Sequence, residues 1–178
     1  MLKQIILRLE RLARRDFTVL SEIRYDQKAN AEAALIVVAV ALIAALGAAF
    51  HSGNFFGTLA FRFTAGVLLN WGLWSYITVF VLTNFYGIDA EFWQIARLIG
   101  YANLPRALAI LAIFGCLGTV IASLAWVAAL VMAFFIVREA FELNTERAIV
   151  ATVIGWLAVF LVSIPLNLLL GIRLLALG

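Results

Sequence analysis

Five apolar runs follow a charged arm along this chain. They cover residues 33–50, 55–82, 104–117, 120–137 and 148–170, with 18, 28, 14, 18 and 23 residues. A bilayer core of about 30 Å asks for about 20 helical residues. The second run carries Arg62, yet from Phe63 it still offers 20 uncharged positions. The third is short and contains Arg106. His51-Ser-Gly-Asn separates the first two runs as a turn, and Gly115-x-x-Gly118-Thr119 forms a tight uncharged turn after the third. Residues 138–147 form a charged loop, with Asn144 or Thr145 placed to cap the last helix. The pattern predicts an all-α integral membrane protein with five transmembrane helices, the third short. The uncharged turn leaves two arrangements open for the third and fourth runs, full crossing or a shallow re-entrant hairpin.

Two further stretches have helical periodicity without the length to cross. In the arm, residues 1–32, the positions Leu2, Ile5, Ile6, Leu9 and Leu12 recur at helical spacing, with Lys3, Arg8, Arg11, Arg14 and Arg15 largely opposite. That suits either a helix lying on an anionic membrane surface or one packed on its own protein or on a second copy. Ile88, Phe92, Ile95 and Ile99 are spaced 4, 3, 4, while Glu91, Gln94 and Arg97 face elsewhere. Residues 89–99 therefore read as a second interfacial helix. Asp89 is placed to cap it, Trp93 suits the headgroup level, and Phe92, Ile95 and Ile99 form the docking face. Gly100 can end it in a left-handed conformation, and Pro105 suits the first turn of the next helix. Gly100-Tyr-x-x-Leu104-Pro105 is thus an elbow from an in-plane helix to an inserted one. Tyr101 and Asn103 can satisfy backbone groups freed at the bend.

Composition narrows the class. The chain has 178 residues and is 66% hydrophobic, and its charged fraction of 13% compares with roughly 25% in soluble domains. Charge placement gives an orientation. With the N-terminus in the cytoplasm and five crossings, 11 of the 13 basic residues fall on the cytoplasmic side, seven of them in the arm. Only Arg62 and Arg173 fall opposite. The chain divides into the basic cytoplasmic arm, 1–32, and a five-span membrane domain, 33–178.

An elbow of this kind, with two spans before it and three apolar runs after it, resembles the Yip domain family. The matched positions are Gly100, Tyr101, Leu104 and Pro105, and the resemblance covers about residues 33–170. It implies a five-span protein with a cytosolic N-terminus, of a family named for interaction with Ypt/Rab GTPases. Longer eukaryotic members carry an acidic segment in the arm that is implicated in partner binding. This arm is short and basic, which speaks against binding a Rab-type GTPase. The compact form looks like the bacterial branch, which implies a bacterial inner membrane; a eukaryotic member would sit in the ER or Golgi.

The function that follows is a non-enzymatic membrane adaptor or organiser, working through helix–helix contacts and its cytoplasmic face. Its partners would be the lipid bilayer and other membrane proteins or a second copy, not nucleic acid. The alternative is a small transporter or lipid-handling protein with a polar path near Arg62 and Asn70. A charge within a span is a functional candidate, although Arg62 could equally snorkel as an anchor. Ser75, Thr78, Thr152, Ser163 and Asn167 could line such a path or simply bond neighbouring helices. Trp71, Trp74, Trp126 and Trp156 lie inside runs, so each indole N–H needs a partner between helices. Cys116 reads as a buried, inert thiol. His51 is the only histidine, and HExxH, CxxC and GxSxG motifs are missing. No catalytic residue, metal or cofactor is expected.

Overall fold

The computed structural model describes residues 2–14 and 16–176; Arg15 of the arm lies outside the described residues, as do Met1 and 177–178. The arm forms α1 (Leu2–Ala13) and α2 (Thr18–Tyr25), followed by α3 (Ala29–Ala49). The second run is one 32-residue rod of α4 (Phe55–Val67), a π segment (Leu68–Leu73) and α5 (Trp74–Tyr86). Then come α6 (Phe92–Ala102), a 3₁₀ segment (Leu104–Phe114), α7 (Cys116–Ala140) and α8 (Thr145–Ala176). Four helices are long and apolar enough to cross a membrane. The pair α6 and 3₁₀ segment, bent by 41°, makes a fifth when counted as one span.

Local chemistry sets the helix ends. Asn54 caps α4 by accepting from Gly57 N–H at 2.9 Å, and Asn144 does the same for α8 from Arg147 N–H at 3.0 Å. Gly87, at φ 62°, closes α5, and the Ile88 N–H reaches back to the Leu82 carbonyl. Asp89 caps nothing: α6 begins at Phe92, after an extended Glu91. Nor does Gly100 end α6. It is helical, and the helix runs on to Ala102. Gly100 is there for proximity, because a Cβ on it would come 2.8 Å from that of Ala33 on α3.

The length of the third run has a geometric explanation. Gly100 meets Ala33 at the end of the bundle that carries the arm, and the His51 ring is 2.7 Å from the Ile113 carbonyl at the far end. Between those ties the α3 side has eighteen residue steps, or about 27 Å at the α-helical rise. The facing side has only thirteen steps from Gly100 to Ile113; the first belong to α6, and from Leu104 the segment is 3₁₀, which advances about 2.0 Å per residue against about 1.5 Å in an α-helix. An α-helix over the same residues would stop short. The tip of the 3₁₀ segment therefore lies level with the α3–α4 turn.

Two glycines let this segment sit between α3 and α7. A Cβ on Gly47 would strike the Ala109 carbonyl, and one on Gly118 would strike the Leu111 carbonyl. Gly115, at φ 72°, reverses the chain between the segment and α7. Cys116, next in sequence, is exposed at this turn and not buried as its apolar neighbours suggest.

At the arm end one carboxylate organises the packing. Glu32 is 1% exposed. Its Oε2 accepts from Arg8 at 2.5 Å and from the Tyr101 hydroxyl at 2.7 Å. A second Arg8 nitrogen bonds Asp26 at 2.5 Å, and Arg97 donates to the Asp26 carbonyl at 2.9 Å. Arg24 extends the clamp to the start of the 138–147 loop. It donates to the Ala140 carbonyl at 2.9 Å and stacks over the Phe141 ring at 3.7 Å. Arg8, Arg11 and Arg14 are thus spent on the arm's own acids, Arg11 on both Asp16 and Glu22. The Arg8 guanidinium beside Asp26 holds that carboxyl below the usual range.

Folding the arm back covers both faces of α6. Ile95 and Ile99, expected to dock on lipid, are completely buried by protein, and so is every residue from Ile95 to Asn103. The polar side with Arg97 lies under the arm; Phe92 is half-buried and Trp93 exposed. The periodicity marks the helix correctly, but its apolar face meets the rest of the bundle instead of the headgroups.

Three outcomes follow. Gly118→Val and Gly47→Val should lower thermal stability in detergent by about 1–3 kcal/mol or more through overpacking. Gly53→Ala, which has nothing within 4 Å of a new Cβ, should be near neutral in the same assay. Arg8→Met should cost about 3–5 kcal/mol by stranding the Glu32 carboxylate, and Tyr101→Phe about 1.5–3 kcal/mol for one bond to a charged group; chemical denaturation would rank them. For pH the sign is fixed by Asp26. Its depressed folded value means that its contribution is full above about pH 4 and fades as pH falls through the folded value. Anisotropy of a dye at exposed Gln4 should stay flat at neutral pH and drop only in that acid range.

Candidate functional site

The sequence pairs Arg62 with Asn70, eight residues apart and so on one side of a helix. The structure places both on the wall of a cavity of about 670 Å³, formed by α3, α4 with its π segment, the 3₁₀ segment, α7 and α8. The size lies within the usual range of small-molecule sites, about 300–1,000 Å³. A third polar residue joins them from across the cavity. Arg106 stands in one row of the 3₁₀ segment with Ala109 and Ala112, because that helix repeats every three residues. The alanines leave space beside the arginine.

Each polar group is held by its own element. Asn70 lies in the π segment, whose wider turn re-aims two side chains. The Asn70 carbonyl oxygen accepts from the Trp126 indole at 3.1 Å, while Trp71 donates to the Ala96 carbonyl at 2.7 Å. Trp126 is fixed in turn by the Trp156 ring, 4.1 Å away between centroids. Arg106 donates to the Asn103 side-chain oxygen at 2.8 Å, and Asn103 donates to the Ile99 carbonyl at 2.8 Å. The elbow thus satisfies its backbone through Asn103, whereas Tyr101 serves Glu32. Arg62 has no ion pair or hydrogen bond among the described residues and is exposed.

The remaining predicted residues are distributed as follows. Leu104 and Pro105 open the 3₁₀ segment, with Pro105 in its first turn. Trp74 donates to the Thr152 carbonyl at 3.1 Å, and Thr78 and Thr152 bond their own helices, so these groups join helices and do not line the cavity. Ser163 and Asn167 line it, but the Ser163 hydroxyl and the Asn167 amide bond the backbone of α8. Sequence reasoning gave no role to Glu32, placed Arg8 on the polar face of the arm helix, and counted Arg106 among the bases of the cytoplasmic side. The signal for Glu32 was present: an acid at the start of a 21-residue apolar helix needs a cation. Among the described residues no group of three or more His, Cys, Asp and Glu side chains could hold a metal ion.

Large apolar side chains on the flanks complete the picture. Leu68, Leu124, Leu161 and Leu168 are all more than 60% exposed on the candidate spans, which is the surface a lipid-facing bundle presents. The family model of the Yip1 domain matches residues 16–166, from the arm to the last helix. No curated protein and no solved structure matches the chain. With a match across nearly its whole length, the chain belongs to the Yip1 domain family of membrane proteins.

Proposed function

We propose that the protein is a non-catalytic membrane adaptor or organiser whose working face is the arm end of the bundle, directed to the cytoplasm. The observation that supports this reading is the arm itself. Its inner side is fixed through Arg8, Arg24 and buried Ile5, while Ile6, Leu7 and Phe17 are 63%, 48% and 46% exposed on its outer side. A pinned helix that shows apolar residues outward presents a preformed surface to another membrane protein or to a second copy, at little ordering cost on binding. The bilayer surface next to Trp93 supplies the remaining contact.

A photoreactive residue at Leu7 in membranes should give a discrete protein adduct. Ile6→Asp should abolish that adduct while leaving the level of membrane-inserted protein unchanged. Cross-linking to lipid alone would count against the adaptor reading. Orientation is checked with the natural thiol. An impermeant maleimide should reach Cys116 only from the outer side. In a Cys116→Ala background, a cysteine at Ser52 should behave the same way, and one at Thr145 should react only from the cytoplasm.

A further inference from the structure

The cavity carries charge without a counter-charge. Arg62 and Arg106 both line it, and none of its lining residues is Asp or Glu. The sequence makes this absolute along the segments concerned: there is no acid between Glu32 and Asp89, between Glu91 and Glu139, or after Glu146. The two arginines are also rooted at similar depth. Arg62 lies seven residues into α4, about 10 Å at the α-helical rise. Arg106 lies seven residues before Ile113, about 14 Å at the 3₁₀ rise. Both distances run from the far end of the bundle, where His51 meets Ile113. Two like charges that face one space among apolar helices repel each other and are poorly solvated.

Arg62, Arg106 and Asn70 keep donors free. Arg106 uses one nitrogen on the neutral Asn103 side chain, and Arg62 uses none. Asn70 has its oxygen taken by Trp126, which leaves its NH₂ group as a further donor. The Thr119, Ser123 and Ser163 hydroxyls, which also line the cavity, spend their single O–H on backbone carbonyls of their own segments and add no donor. Guanidinium groups fit phosphate oxygens in a bidentate manner. Most of the other lining side chains are apolar, Ala, Phe, Leu and Val, the chemistry that accompanies acyl chains.

We propose that this cavity binds the phosphate of an anionic phospholipid, with Arg62 and Arg106 on the phosphate oxygens and the lipid's chains along the apolar walls. The site is separate from the arm surface and does not depend on the adaptor reading.

The test uses the full-length protein in neutral detergent, followed by native mass spectrometry and thermal unfolding. Phosphatidylglycerol should be retained as a mass adduct and should raise the melting temperature; phosphatidylcholine should do neither. Arg62→Gln and Arg106→Gln, made separately, should each weaken phosphatidylglycerol retention by about ten-fold or more, as expected for losing hydrogen bonds to a charged group. Lys3→Gln with Arg14→Gln, on the arm surface, should leave retention unchanged. Arg62 is exposed and unpaired, so Arg62→Gln keeps the test valid even where Arg106→Gln fails to fold. Equal retention of both lipids, or undiminished retention by Arg62→Gln, overturns the proposal. Inorganic phosphate at millimolar concentration that reproduces the whole stabilisation also overturns it, by assigning the site to a free anion.

Discussion

The buried carboxylate of Glu32 is the constraint on which the arm end depends. A carboxyl group so deep is tolerable only with charge and hydrogen bonds supplied to it, and its two partners come from far along the chain. Arg8 can reach it only if α1 folds back over the bundle, and Tyr101 only if α6 lies across the same end. Meeting both conditions places the arm on top of α6. That in turn buries Arg97 and brings its guanidinium to the Asp26 carbonyl. An arm that could have lain on lipid is therefore part of the folded body.

The coarse architecture was legible because it rests on run length and hydropathy, which are local. The charged loop, the Asn144 cap and the interior tryptophans were legible for the same reason. Trp71, Trp74 and Trp126 find the indole acceptors that burial requires, whereas the buried Trp156 indole N–H has no partner among the described residues. What the sequence hides is what lies opposite. The 4, 3, 4 spacing through Ile95 and Ile99 marks a helix face but cannot say whether lipid or protein covers it. Gly100 reads as a stop signal, yet its use is to let Ala33 approach. Run length also misleads where the rise per residue is not α-helical. The 14-residue third run seems too short only when 1.5 Å per residue is assumed.

The candidate site shows the same division. Arg62 and Asn70 are near neighbours on one helix, so the sequence could pair them. Arg106 joins them from the other side of the cavity, and only the three-residue repeat of its segment turns it inward with Ala109 and Ala112. The two polar regions of the molecule are consequently opposite in kind. At the arm end Arg8, Arg11, Arg14, Arg24 and Arg97 are each matched with an acid or a carbonyl. In the cavity the cations stand without acids.

The tie between α3 and the 3₁₀ segment bears on how this protein meets bilayers of different thickness. A transmembrane segment usually adapts to mismatch by tilting, kinking or deforming the lipid around it. Here one segment is already drawn out near the longest helical rise available, so it has almost no extension left. Relaxing to α-helical geometry over its eleven residues would draw it in by about 5 Å, but would pull Ile113 away from His51. The pair thus behaves as a strut of fixed length: a thicker membrane must thin around it or accept it upright, and a thinner one must tilt the whole unit.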